Sequence, residues 1–138
     1  MKHLTKEQLK KDLETRDLSD KAQGEHCMQL IMNEVIDALK KYWNCPVTIY
    51  RENPIVTVED NYDKLKIDKE SVLRSEVYTR YVDDNHVLRT MASVMVPRGL
   101  QSIKDDIKPN RLLACVGLVY RRDQIDRIHS GVHHQMDL

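Results

Sequence analysis

Apolar residues between positions 28 and 43 recur at intervals of three and four, the spacing of one face of an α-helix. The stripe consists of Met28, Ile31, Met32, Val35, Ile36, Leu39, Tyr42 and Trp43. Ser19-Asp20 offers a helix start upstream, because short polar side chains accept hydrogen bonds from the first backbone N–H groups of a helix. We therefore predict one long helix in this region, with its Met and Trp side chains in the core.

A more polar segment before it carries a second helix signal. Thr5 and Gln8 have the types and spacing of a capping box, in which each side chain bonds to the backbone N–H of the other residue. This pair predicts a short helix over about residues 5–16. The helix belongs to a polar N-terminal extension that covers residues 1–20.

Past residue 46 the pattern changes to short β-branched runs, which are typical of strands. The predicted strands are Val47–Ile49, Ile55–Val58, Val77–Val82 and His86–Arg89. Polar residues at Asp60–Asp63 indicate a turn, in which we expect the carboxylates of Glu59 and Asp60 to be solvated. Ser71–Ser75 predicts a single helical turn.

The last third of the chain combines a helix signal with a strand signal. A helix is predicted near Ser93, whose hydroxyl can cap a first turn that tolerates Pro97, and Pro109 closes the loop that follows. Leu112–Tyr120 is an uninterrupted apolar run with the length of a strand buried on both faces. A polar loop over 123–131 and a returning strand from Val132 follow.

These elements predict an α+β fold, an antiparallel β-sheet flanked by helices, in a single domain of residues 1–138. Lys and Arg total 22 and Asp and Glu total 22, so no overall positive field gathers nucleic acid, and DNA is not an expected partner. No apolar run is long enough to cross a membrane, and no secretory signal is recognisable. With three cysteines and no pairing pattern, we expect reduced thiols and a cytoplasmic protein.

Candidate chemistry lies where the buried strand ends. Arg121 and Arg122 follow it directly, and a guanidinium group suits phosphate or carboxylate because it presents a planar fork of donors. His129, His133 and His134 leave a metal site open as an alternative, but adjacent histidines on a strand face opposite sides, so we predict none. Cys115, inside the apolar run, is expected to be a small buried side chain rather than a nucleophile.

The same segment carries a family resemblance. Val119–Asp126 closely resembles motif 2 of phenylalanyl-tRNA synthetases of the mitochondrial type, a class II family, and His129 and His134–Asp137 keep the family's later His and His-Gln-x-acid pattern. Asn53–Leu65 resembles the end of motif 1, and Val87–Ser93 resembles the strand that leads to the family's His-Thr-Ser signature. The similar stretches are collinear, which makes the resemblance more specific than one motif.

The resemblance implies a nucleotide site. Arg121 would be the catalytic residue, holding the α-phosphate of ATP and the carboxylate of the amino acid. Asp123, His129 and His133 would also contact ATP, with His133 in the place of an aromatic side chain that stacks on adenine. The expected cofactors are ATP and Mg²⁺.

The resemblance also implies an amino-acid site and a dimer. Ser93, Gln135 and Asp137 would bind the substrate amino acid, phenylalanine or a related one, with Asp137 where the family has Glu. Pro54 stands in the place of a dimer-interface proline, so a homodimer through the long helix and this strand is expected. The expected function is adenylate formation for tRNA charging, with tRNA as the candidate acceptor.

Two alternatives remain open. Met91-Ala92-Ser93 replaces the His-Thr-Ser signature, which favours a paralogue that binds a ligand or protein partner. Adenylation of an amino acid for an acceptor other than tRNA is the second alternative. Motif 3 of the family would lie past Leu138, and we therefore expect this chain alone to be an incomplete catalytic core.

Overall fold

The computed structural model describes residues 2–106, 110–123 and 125–138. Its helices are α1 (Lys6–Leu13), α2 (Cys27–Trp43) and α3 (Val96–Ser102), and its strands are β1 (Val47–Tyr50), β2 (Ile55–Thr57), β3 (His86–Leu88), β4 (Leu112–Tyr120) and β5 (Val132–Asp137). The proposed loop-closing role of Pro109 falls outside the described residues.

The capping box at α1 is confirmed. The Thr5 hydroxyl accepts the Gln8 N–H, and the Gln8 carboxamide oxygen accepts the Thr5 N–H at 2.9 Å. The helix is shorter than predicted, with eight residues. Leu4 and Leu9 contact the buried cluster of Leu118 and Tyr120, which docks α1 on the sheet.

Helix α2 starts at Cys27, so the predicted start at Ser19-Asp20 was wrong. Asp20 instead caps a short 3₁₀ turn that ends at Gly24, whose φ of 108° is incompatible with a continuing helix. Packing in the core is confirmed for Met32, which contacts buried Ile36, but Trp43 is 50% exposed. The stripe is therefore wider than the face that the sheet covers.

The sheet that α2 covers has the order β1-β4-β5, with β4 in the centre. β4 and β5 are antiparallel, as predicted, whereas β1 runs parallel to β4. Eight of the nine residues of β4 are buried, which confirms the strand predicted to be covered on both faces. The α+β class is confirmed, and the parallel pair is a detail that periodicity does not predict.

β2 and β3 form a separate antiparallel pair, but the strand predicted at Val77–Val82 was wrong. Only Tyr81 makes isolated bridges there, to His3 and Val87. The buried Thr79 hydroxyl donates to the Leu73 carbonyl at 2.8 Å. Such side-chain bonds to nearby backbone compete with strand formation, even where residues are β-branched.

The segment Glu59–Asp63 is a π-helical turn with a buried acid, so the solvated position predicted for Asp60 was wrong. Its carboxylate accepts hydrogen bonds from Thr57 at 2.8 Å, from Lys64 at 2.5 Å and from Arg98. Burial opposes ionisation, but the bonds from Lys64 and Thr57 outweigh it and lower the pKa of Asp60. Glu59 is exposed, as predicted.

Candidate active site

Side chains of β5 alternate between two environments. His133, Gln135 and Asp137 point to one face of the sheet, and the intervening His134 and Met136 point to the other, as the pleat of a strand requires. Gln135 and Asp137 contact the segment that begins at residue 92, whereas Met136 packs on the cluster beneath α2. We call these the site face and the packing face.

Three predicted amino-acid-binding residues meet on the site face. The Ser93 hydroxyl donates to a carboxylate oxygen of Asp137 at 2.5 Å, and the Ala92 N–H donates to the carboxamide oxygen of Gln135 at 2.9 Å. The prediction that Ser93 caps a helix was wrong, because neither the 3₁₀ turn at Ala92–Met95 nor α3 has a side-chain cap. Its hydroxyl orients Asp137 instead.

Arg121 leaves β4 at the mouth of a cavity of about 270 Å³. Its Nε donates to the Thr90 carbonyl at 3.0 Å, and among the described residues its guanidinium makes no salt bridge. The cavity is lined by Leu73, Tyr78, Thr90, Met91, Arg121 and Asp123. Asp123 thus lines the same cavity as Arg121, whose guanidinium is oriented by the Thr90 carbonyl.

The two predicted histidines occupy different places. His133 is half-buried on the site face, with its Nε2 3.4 Å from the Gln135 amide nitrogen. His129 lies exposed in the loop between β4 and β5, and its ring contacts Asp126 at 2.8 Å. Backbone bonds from Ile128, then the bond from the His129 ring, hold the pKa of Asp126 below its ordinary value. His129 does not line the Arg121 cavity.

On the packing face, His134 links the N-terminal segment to the hairpin of β4 and β5 by a hydrogen bond. Its Nε2 accepts the Leu18 N–H at 2.9 Å and lies 3.3 Å from a carboxylate oxygen of Asp17. Burial lowers the pKa of His134, although the Asp17 carboxylate opposes that effect. Arg51 contacts Asp17 and Ser19, which are both buried. The segment expected to be an extension therefore packs against the sheet.

A model of the tRNA synthetase class II core domain (F) matches residues 10–138. The chain belongs to this family. The predicted relationship to class II synthetases, and the fold that it implied, are thereby confirmed.

Relatives of this class II core support the same assignment. Phenylalanine–tRNA ligase of Saccharomyces cerevisiae mitochondria is 39% identical over 87 residues, covering 61% of this chain and 18% of the relative. The alpha subunit of phenylalanine–tRNA ligase from Mycoplasma pneumoniae is 32% identical over 108 residues, covering 78% of this chain and 32% of the relative. The chain thus spans between 18% and 32% of the length of these two relatives.

A solved structure of pyrrolysyl-tRNA synthetase from Desulfitobacterium hafniense has the same fold. It superposes with a TM-score of 0.60 at 15% identity, covering 78% of this chain and 37% of the other. At this identity the similarity concerns the fold alone.

Two residues that support Arg121, Asn61 and Thr90, were missed by sequence reasoning. Asn61 holds Thr90 from two sides, because its carboxamide oxygen accepts the Thr90 N–H and its amide donates to the Thr90 hydroxyl, each at 3.0 Å. Thr90 in turn accepts from Arg121. Asn61 lies in a segment that only indicated a turn, and the chain separation of 29 residues leaves no local signal for the pair.

Cys115 and Pro54 hold structural positions. Cys115 is fully buried beside Ala92 and Met95, and burial raises the pKa of its thiol to about 11, in agreement with the predicted small core residue. Pro54, the predicted interface residue, is half-buried before β2, where its carbonyl accepts the Arg89 N–H at 2.9 Å.

Within the described ranges, no three His, Cys, Asp or Glu side chains form a group suited to a metal ion. None of the helices in those ranges has the length and apolar character needed to cross a membrane. Two relatives are mitochondrial by name, one from Saccharomyces cerevisiae and one from Drosophila melanogaster. A cytoplasmic location therefore stays a prediction.

Proposed function

We propose that this chain forms the ATP- and amino-acid-binding part of a phenylalanine–tRNA ligase-like enzyme that makes an aminoacyl-adenylate for tRNA charging. The observation that carries the proposal is that two groups of candidate residues are held by the same β4–β5 hairpin and by the segment of residues 90–93. Arg121 lines a cavity, and on the site face Ser93 donates to Asp137 while the neighbouring Ala92 N–H donates to Gln135.

Arg121 supplies the positive charge that the reaction needs. The amino-acid carboxylate attacks the α-phosphorus of ATP and pyrophosphate leaves, so negative charge gathers between the two substrates. The Thr90 carbonyl fixes the Nε end of the guanidinium, which leaves its planar fork to bridge carboxylate and α-phosphate. Asp123, His129 and His133 would contact the rest of the nucleotide.

Asp137 supplies the negative charge that recognises the substrate's amino group. An ammonium group beside a carboxylate forms strong charge-assisted hydrogen bonds. The bonds that Ser93 and Ala92 donate hold Asp137 and Gln135 in place before any substrate arrives, which reduces the entropy lost on binding.

Class II synthetases use ATP together with Mg²⁺. In the described ranges no acidic or histidine cluster fits a metal ion. We therefore assign Mg²⁺ to the ATP phosphates, which is the usual way in which this ion enters nucleotide sites.

The proposal is tested by ATP–pyrophosphate exchange with the full natural protein and each of the twenty amino acids. Phenylalanine or a related amino acid should stimulate exchange, because adenylate formation is reversible. Absence of stimulation by every amino acid would contradict adenylate formation.

A ligand- or partner-binding paralogue is the second candidate, and one observation favours it. Met91 and Ala92 replace two polar residues of the family signature, and Ala92 gives Gln135 only a backbone bond. This candidate predicts binding without exchange. If exchange occurs but tRNA is not charged, the adenylate serves another acceptor.

The homodimer belongs to the same proposal. Helix α2 exposes several large apolar side chains, those of Leu30, Ile31, Val35, Tyr42 and Trp43. Large apolar side chains exposed on one helix are common at interfaces, and in this proposal a second copy covers them together with the segment at Pro54. Sedimentation should show a dimer at roughly tens of micromolar protein. A monomer at that concentration would contradict the dimer.

A further inference from the structure

The base of the loop between β4 and β5 is held by a side chain from another part of the chain. The Arg80 guanidinium donates from Nε to the Arg121 carbonyl at 2.9 Å and from Nη2 to the Gly131 carbonyl at 3.0 Å. These carbonyls belong to the two ends of the loop. One rigid fork therefore bridges the point where the chain leaves β4 and the point where it enters β5.

The third contact of Arg80 leads to the N-terminal helix. Its Nη1 donates to the Asp12 carboxylate at 2.6 Å, and the side chains of Arg80 and Asp12 are 13% and 15% exposed. A charged pair that is largely shielded from water is screened little by salt and is stronger than a surface pair. We call Asp12, Arg80 and their two carbonyl partners the loop clasp.

The backbone at Gly131 leaves just enough space for the Arg80 guanidinium of the loop clasp. A Cβ atom on Gly131 would lie 2.5 Å from Arg80 Nη2 and 2.9 Å from the Arg121 carbonyl oxygen. The Arg121 N–H also donates to the Gly131 carbonyl at 2.8 Å, so Arg80 braces a pair of residues already bonded to each other. Gly131 is required here because any side chain would displace the guanidinium or the loop end.

Helix α1 gives the clasp a fixed anchor. Leu4 and Leu9 pack on the Leu118 and Tyr120 cluster, and the Leu4 N–H donates to the Tyr81 carbonyl at 2.8 Å. Asp12, one turn beyond Leu9, is therefore held by a helix that is itself docked on the packing face. A continuous set of contacts runs from that face to Arg121.

We propose that Asp12 and Arg80 are positioning residues, which act through the backbone of Arg121 to set its guanidinium for the nucleotide phosphates. The inference rests on the proposed function. A catalytic arginine must be held close to its productive geometry, and bracing both loop ends reduces the freedom that binding would otherwise remove. The N-terminal helix thereby becomes part of the nucleotide site without touching the ligand.

The test compares Asp12→Asn with Glu14→Gln. The second variant removes the same charge from the next acidic residue along the chain, whose side chain is exposed. Glu14 lies only 3.7 Å from Lys10 in an exposed pair. Hydrogen exchange at the Arg121 amide is measured first, and ATP affinity by calorimetry second. Asp12→Asn should speed exchange about tenfold and weaken ATP binding about tenfold, the loss expected for one charged hydrogen bond. Glu14→Gln should change neither.

Two further variants separate positioning from folding. Asp12→Glu keeps the carboxylate and should restore most of the protection and affinity. Arg80→Lys keeps the charge but loses the fork, so it should resemble Asp12→Asn. Unchanged exchange and ATP affinity in both Asp12→Asn and Arg80→Lys would overturn the inference alone. These measurements use the full natural protein. Absence of ATP binding by that protein without substitutions would contradict the proposed function, while the exchange data still report whether the clasp holds the loop.

Discussion

The two faces of the β4–β5 hairpin share one backbone register but differ in what they contact. On the packing face Leu118 lies in an apolar cluster beneath α1, and Met136 lies in another beneath α2. On the site face Gln135 and Asp137 bond to the backbone of Ala92 and the hydroxyl of Ser93. Side-chain alternation in this hairpin therefore separates core packing from amino-acid recognition, and substitutions can test that separation.

The largest expected effect is on the packing face. Leu118→Ala removes a side chain that is 4% exposed and leaves a cavity, which should lower the free energy of unfolding by about 2–5 kcal/mol. Urea denaturation measures this loss. Affinity of the folded variant for phenylalanine should stay within about twofold of the parent, because the Leu118 side chain lies on the opposite face of the hairpin from Gln135 and Asp137. A large loss of affinity at unchanged stability would break the comparison.

The second-largest change is expected in phenylalanine affinity, after a substitution on the site face. Asp137→Asn keeps the shape of the side chain but removes the charge that faces the substrate's ammonium group, so phenylalanine should bind about 10- to 100-fold more weakly. Calorimetric titration measures the change, and exposed Asp68→Asn is the matched control. The free energy of unfolding should fall by less than about 1 kcal/mol. Equal affinities of the two variants would remove Asp137 from the proposed site.

The smallest change is expected in the pH dependence of the free energy of unfolding, to which His134 on the packing face contributes. Because burial holds the pKa of His134 below its ordinary value of 6.5, the unfolded chain binds a proton more readily than the folded one. The stabilisation is fully present above pH 6.5 and is lost as the pH falls through 6.5 toward the lower folded value. His134→Gln should lack this part of the pH dependence in urea denaturation. Identical profiles for the variant and the parent would contradict it.

Local signals in the sequence were sufficient for several elements. The capping box at Thr5 and the strand at Leu112–Tyr120 involve neighbouring residues, so their pattern carries the information. The meeting of Ser93 with Asp137 was available only through the family resemblance, because 44 residues separate them. Periodicity places each residue on its element but does not say which elements pack together.

Other features depend on tertiary contacts that no local pattern reports. The Thr79 hydroxyl donates to the Leu73 carbonyl, and its segment does not form a strand. Asp60 is buried because Lys64 and Arg98 donate hydrogen bonds to its carboxylate. Trp43 extends the apolar stripe of α2 past the area that the sheet covers. The Arg80 contacts were invisible for the same reason, since they join residues 41, 51 and 68 positions apart.

In the proposed site Arg121, rather than its neighbour Arg122, binds the phosphates of the nucleotide, and a paired titration of variants at these two arginines tests that assignment. Arg121 lines the cavity of about 270 Å³, whereas the Arg122 guanidinium donates to the Lys2 carbonyl at 3.1 Å. Calorimetry with ATP should show about a tenfold or greater loss of affinity for Arg121→Gln and a change within about twofold for Arg122→Gln. Equal losses of ATP affinity in the two variants, or no loss in Arg121→Gln, would contradict the role of Arg121 in nucleotide binding.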